Sequence, residues 1–223
     1  MRGIYAFFFG IYLISSNSFS QYGSIEINTG GFSFIPIFTS DKPHIIFRVG
    51  TDQNRRFSLI LINLVMIDGL TPSNYSLIAR YKLIDKKFQL QIGTQFPGYR
   101  VLENEEYKSR YVHEIRSSYP INSSTNLLFL YMHGIGRNFE MNNNFYSFYF
   151  QKIFKKFIAT TQFYQLYSSL ASGPSAGVAQ KISFMLSKKI KINGFLNKSI
   201  SGDEDILNKT IGVEYSFWWA LPI

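Results

Sequence analysis

The chain has 223 residues, enough for one domain of about 200 residues once a targeting segment is set aside. It contains no cysteine, which excludes disulfides, thiolate metal sites, a cysteine nucleophile and a lipid-modified N-terminal cysteine. Its formal net charge of +9 favours anionic surfaces and solutes. Nucleic acid, the usual partner of so basic a chain, is set aside because the sequence opens on an export signal.

That signal is the first element. Arg2 supplies a short positive region, Ile4 to Ile14 is an apolar run, and Ser18 and Ser20 are the small pair before a cut ahead of Gln21. The apolar run is about eleven residues, too short to cross a bilayer, which takes about 20. The expected division is a signal peptide over 1–20 and one barrel domain over 21–223.

From Gly23 onward the chain reads as strand after strand. Tyr75, Leu77, Ala79, Tyr81 and Leu83 alternate with Ser76, Ile78, Arg80 and Lys82. Phe88, Leu90, Ile92 and Phe96 alternate with Gln89, Gln91, Gly93 and Gln95, and later Ile190, Ile192, Gly194 and Leu196 with Lys189, Lys191, Asn193 and Asn197. Period two puts the two sets on opposite faces. Aromatic residues are 17% of the chain and charged residues also 17%, the mixture of a barrel with one face on lipid and the other on water.

Paired basic residues recur at the turns. Arg55-Arg56-Phe57, Lys86-Lys87-Phe88, Lys155-Lys156-Phe157 and Lys188-Lys189-Ile190 each put an apolar residue at a strand start. Their spacing is about 31 to 33 residues, or about twice that where a copy is missing, so the unit is a strand pair plus a long loop. Short turns are expected near Asp52–Asn54, Asp85–Lys87, Pro120–Ser124, Lys155–Lys156 and Lys188–Lys189. Longer connections are expected near Asp68–Ser73, Gly98–Lys108, Asn138–Asn143, Ser168–Pro174 and Ser201–Asp205. Outer-membrane barrels keep short turns on the periplasmic side and long loops outside. The pattern predicts an all-β, antiparallel transmembrane barrel of about twelve strands, though ten or fourteen also fit. Pro36 and Pro43 interrupt the first expected strand pair. A soluble lipocalin-like barrel is the competing fold; it would turn the apolar set inward.

In Thr210 to Phe217, Ile211, Val213, Tyr215 and Phe217 share one face, and Thr210, Gly212, Glu214 and Ser216 the other. This segment resembles the terminal β-signal of outer-membrane proteins. The resemblance implies that Gly212, Tyr215 and Phe217 are read by the barrel-assembly machinery and that this strand closes the barrel. With the signal ending in Phe-Ser-Gln and the basic turns, the chain as a whole is similar to the small, functionally unassigned outer-membrane barrels common in Bacteroidota. Such barrels usually end at the aromatic residue, whereas Trp218 to Ile223 follow here.

No catalytic constellation stands out. His44, His113 and His133 lack the nearby serine of outer-membrane lipases, and His113 and Glu114, as strand neighbours, point to opposite faces. No metal-ligand spacing or cofactor motif appears. Asp203 to Asp205, Glu103, Glu105 and Glu106 read as solvated loop residues. The expected inward set is Arg80, Lys82, Arg116, Lys181, Lys189 and Lys191, with Glu114 and Glu214 opposing. Basic rings favour anions, so the leading reading is a small passive channel in the outer membrane, surrounded by its lipids and passing small anionic solutes. Ile78, Ile84 and the doubly apolar stretch Leu59–Ile67 argue that part of the lumen is packed. A non-conducting structural or partner-binding barrel is the alternative, and a lipid-modifying outer-membrane enzyme the third reading.

Overall fold

The computed structural model describes residues 21–30, 35–36, 39–101, 107–202 and 206–219. The expected signal over 1–20, the glutamates Glu103, Glu105 and Glu106, and Asp203 to Asp205 lie outside the described residues.

The alternating segments form twelve strands: β1 (Gln21–Asn28), β2 (His44–Thr51), β3 (Phe57–Met66), β4 (Pro72–Asp85), β5 (Gln89–Val101), β6 (Tyr107–Asn122), β7 (Thr125–Gly136), β8 (Asn142–Phe154), β9 (Phe157–Ser168), β10 (Ser175–Met185), β11 (Ile190–Ser201) and β12 (Leu207–Trp219). Every pairing is antiparallel between sequence neighbours, and β1 also pairs with β12, closing the sheet into a barrel. Closure leaves no backbone edge unpaired, the condition for crossing lipid with strands. The start of β1, the end of β12 and the short turns share one rim. The longer connections share the other.

The prolines explain where expectation and fold differ. Pro36 and Pro43 lie in the connection between β1 and β2, so both strands run uninterrupted for 8 residues each. Three other prolines do enter strands. Pro72 begins β4, Pro97 falls within a register shift between Gln95 and Gly98, and Pro120 sits beside a shift between Pro120 and Asn122. A proline has no N–H to give the ladder, so strand starts and bulges are the places that tolerate it. The expected turn at Pro120–Ser124 therefore narrows to 123–124, and the expected loop Gly98–Lys108 gives up residues to β5 and β6. β12 likewise continues beyond Phe217 to Trp219.

The outer face is a band of exposed large apolar side chains, among them Ile92, Ile115, Phe129, Phe148, Phe163 and Val213. Water would disfavour such a band by about 25 cal/mol per Å². The buried set includes Ser24, Glu26, Arg80, Gln95, Glu114, Asn193 and Glu214. This is the reverse of a lipocalin-like barrel, so the competing soluble fold is rejected. The Tyr75–Leu83 and Ile190–Leu196 alternations place their apolar sets outward as read.

Candidate functional site

The interior carries two charged groups of side chains. In the first, Arg80 of β4 and Glu114 of β6 both oppose Gly93 of β5 in the register. Gly93 has no side chain between them: a Cβ there would lie 2.8 Å from Glu114 Cγ. The two side chains therefore meet across the intervening strand. Arg80 Nε donates to Glu114 Oε1, and Nη2 donates to Oε2 at 3.3 Å. Arg116, farther along β6, lies in the field of Arg80 and Glu114, and of Tyr149 from β8 and Tyr22 from β1. Because β1 and β6 stand on opposite walls, this group reaches across the lumen.

The second group sits at the closing seam. Glu26 of β1 faces Glu214 of β12 in the register. Arg48 Nη1 bonds Glu26 Oε2 at 2.9 Å, and Lys191 Nζ bonds Glu214 Oε1 at 3.2 Å. Asn28 Nδ2 donates to Glu26 Oε1 at 2.8 Å, and Asn193 Nδ2 to Glu214 Oε2 at 3.1 Å. Lys181 of β10 lies in the field of both carboxylates. Gly212 leaves the room: a Cβ there would fall 2.6 Å from both Glu26 Oε1 and Asn28 Nδ2.

Between these groups the inner wall carries two apolar clusters, interleaved with buried polar side chains such as Ser58, Ser147 and Gln162. Ile46, Ile60, Ile62, Leu64 and Ile78 form one buried cluster on β2, β3 and β4. Val112, Leu130, Met132, Phe145, Tyr164 and Leu166 form another across β6 to β9. The doubly apolar stretch beginning at Leu59 was thus a sound sign of a partly packed lumen. Ile84 lies at the short-turn rim and is exposed.

Ile35, Pro36 and Thr39, in the connection between β1 and β2, are packed in the interior, which the sequence did not reveal. Ile35 packs against the β6–β9 cluster, and Pro36 is fully buried. Thr39 N donates to Pro36 O at 3.1 Å, and Asn208 Nδ2 of β12 donates to Thr39 O at 2.8 Å. Thr39 also lines a small cavity with Glu26, Asn28, Lys181, Asn193, Phe195 and Thr210. The described part of this connection thus touches both the seam and the far wall.

Of the expected inward residues, Arg80, Lys82, Glu114, Arg116, Lys181, Lys191 and Glu214 stand on the interior face. Lys82 is at the short-turn rim, bonded to Asn54 O at 2.8 Å and Asp85 Oδ1 at 3.2 Å. Lys189 is the exception. It lies in the exposed turn before β11, because Ile190 is the first residue of that strand. Gly212 faces inward, while Tyr215 is exposed on the outer face. Sequence reasoning missed Glu26, Arg48 and Asn28, all on the strand pair that the prolines obscured.

His44 stands apart from the other two histidines. His44 is buried; its Nδ1 meets Lys42 O at 2.6 Å and its Nε2 meets Ser73 Oγ at 2.9 Å. A carbonyl only accepts, so Nδ1 carries a proton, and the Ser73 hydroxyl lies between Nε2 and Leu64 O, 3.3 Å from the latter. The ring thereby pins the end of the first long connection to the start of β4. His113 and His133 face outward. Among the described residues, no three His, Cys, Asp or Glu side chains gather as a metal group.

No family model matches the sequence, and no curated protein is similar to it. Solved structures do match in shape. A KdgM porin superposes with a TM-score of 0.62 at 12% identity, covering 88% of this chain and 99% of that one. A KdgM porin in complex with disordered oligogalacturonate gives 0.60 at 13%, covering 89% and 99%. A NanC porin gives 0.60 at 11%, covering 87% and 98%. At such identities the likeness is one of fold: this chain is a closed, twelve-strand antiparallel barrel whose fold resembles that of outer-membrane porins.

Proposed function

We propose that the chain is a small outer-membrane channel for anionic solutes. The observation that carries this reading is the interior charge. Arg48, Arg80, Arg116, Lys181 and Lys191 face inward against Glu26, Glu114 and Glu214, while Lys82 is paired with Asp85 at the rim. In a low-dielectric wall such an excess lowers the barrier for anions and raises it for cations. The acidic sugar chain in one KdgM structure makes acidic sugars the first solutes to try. A channel of this kind needs no catalytic group.

Export and insertion complete the reading. Residues 1–20 act as a signal peptide removed ahead of Gln21. Gly212, Tyr215 and Phe217 present the terminal strand to the barrel-assembly machinery, as in the small barrels of Bacteroidota. The basic turns then face the periplasm, the long connections face outward, and membrane lipid covers the apolar band. A second reading, a closed barrel that anchors outer loops or a partner, draws on the tight interior: Ile46 and Asn197 are 0% exposed and Phe145 1%.

Liposome swelling separates the two. Vesicles carrying the refolded barrel should swell faster in galacturonate than in galactose. No swelling beyond protein-free vesicles with either solute sinks the channel and leaves the closed barrel.

A further inference from the structure

His113 of β6 and His133 of β7 are direct register partners, and both side chains are on the outer face. Directly paired residues on antiparallel strands hold their Cβ atoms about 4.5–5.5 Å apart. Two imidazoles on such a pair can converge on one ion. His113 is exposed and His133 half-buried, so the pair is reached from outside the barrel rather than from its lumen.

The neighbouring strand orients one of the rings. His133 opposes Asn144 of β8, and His133 Nδ1 lies 3.0 Å from Asn144 Oδ1. The hydroxyl of Tyr131 donates to the same Oδ1 at 2.8 Å, so that oxygen accepts from both sides. A carbonyl oxygen at Nδ1 requires the proton there, which leaves the lone pair on Nε2. Metal-binding histidines are held in this way, with the second ring nitrogen donating to an oxygen that fixes tautomer and rotation. Tyr131 in turn packs against Tyr146, their rings tilted by 35° with centroids 5.0 Å apart. The Asn144 carbonyl is therefore positioned by packed aromatic rings.

Chemistry selects the ion. Neutral imidazole suits zinc, copper and nickel, whereas calcium and magnesium prefer oxygen donors. The row sits near the ends of β7 and β8 that meet the longer connections, above the apolar band of Phe129, Phe148 and Phe163. Two coordination positions are left for water or for lipid phosphate oxygens at that rim.

We propose that His113 and His133 form a cross-strand site for a divalent late-transition-metal ion on the outer wall, with Asn144 as its positioning residue. The site is separate from the lumen and does not depend on conduction.

The test uses the full mature barrel, refolded in detergent without a polyhistidine tag, and titrated calorimetrically with zinc chloride. The expected result is one zinc ion per barrel. Because the two rings chelate together, H113Q or H133Q alone should weaken binding on the order of 10²-fold. N144L should weaken it by about 10-fold or more while both ligands remain. Each variant must retain heat-modifiable gel migration, and the exposed His113 is the safer of the two to change. No zinc binding to the folded barrel overturns the proposal. So does a loss of only half the capacity in each single histidine variant, which would mean two independent rings.

Discussion

Glu26 and Glu214 face each other directly across the β1–β12 seam, two carboxylates at the point where the barrel closes. Like charges directly opposite on paired strands repel. Arg48 and Lys191 offset this with one ion pair each, and Lys181 stands near both. The closure is therefore stable only as a set. R48M should take the ion-pair partner from buried Glu26, leaving it Asn28 and the more distant Lys181, and cost about 3–5 kcal/mol. The double variant R48M/E26Q should recover most of that loss. The measurement is the temperature at which the folded band converts to the unfolded one on a detergent gel; a double variant as labile as R48M would contradict the account.

The Arg80–Glu114 pair depends on an empty position between its partners. A Cβ at Gly93 would lie 2.8 Å from Glu114 Cγ and 3.1 Å from Ala79 O. G93A should therefore cost about 1–3 kcal/mol through overpacking. Gly194 is the control, because the nearest atom to its Cβ would be Ile182 O at 3.9 Å. G194A should stay within about 0.5 kcal/mol. Equal thermal shifts for the two variants would remove the spacing argument.

The first long connection should limit flow. Ile35 holds it against the far wall, and the Asn208 amide holds Thr39 at the seam. The combined variant I35D/N208L removes both attachments while leaving every strand pairing in place. Its conductance in a planar bilayer should exceed that of the unaltered protein, with the gel transition little changed. Identical conductance would place the narrowest point elsewhere, at the Arg80–Glu114–Arg116 group.

Arg116 and Lys181 should set the selectivity. Removing the charge from either, as R116Q or K181Q, should lower the anion-to-cation permeability ratio. K189Q should leave it unchanged, because Lys189 is in the exposed turn outside the lumen. A selectivity change in K189Q as large as in R116Q would argue that the rim, rather than the interior, chooses the ion.

Much of this was legible because a strand writes its two faces into alternate residues. Arg80 and Lys82 fall between Tyr81 and its apolar neighbours, so their side of the wall follows from period two alone. The pairing of Arg80 with Glu114 was not legible, since it bridges two strands over a glycine and depends on two registers. Lys189 misled because alternation was carried one residue past the strand start at Ile190. The first strand pair was obscured by Pro36 and Pro43, which read as interruptions but lie in the connection between β1 and β2. That hid Glu26 and Arg48, and with them half of the seam. The outward meeting of His113 and His133 was equally hidden, because only the register brings them opposite.

The most direct measurement is a planar-bilayer recording of the refolded mature barrel under a potassium chloride gradient. The account predicts discrete conductance steps whose reversal potential is displaced toward that of chloride. Steps displaced toward potassium, or no steps in any salt, would contradict it.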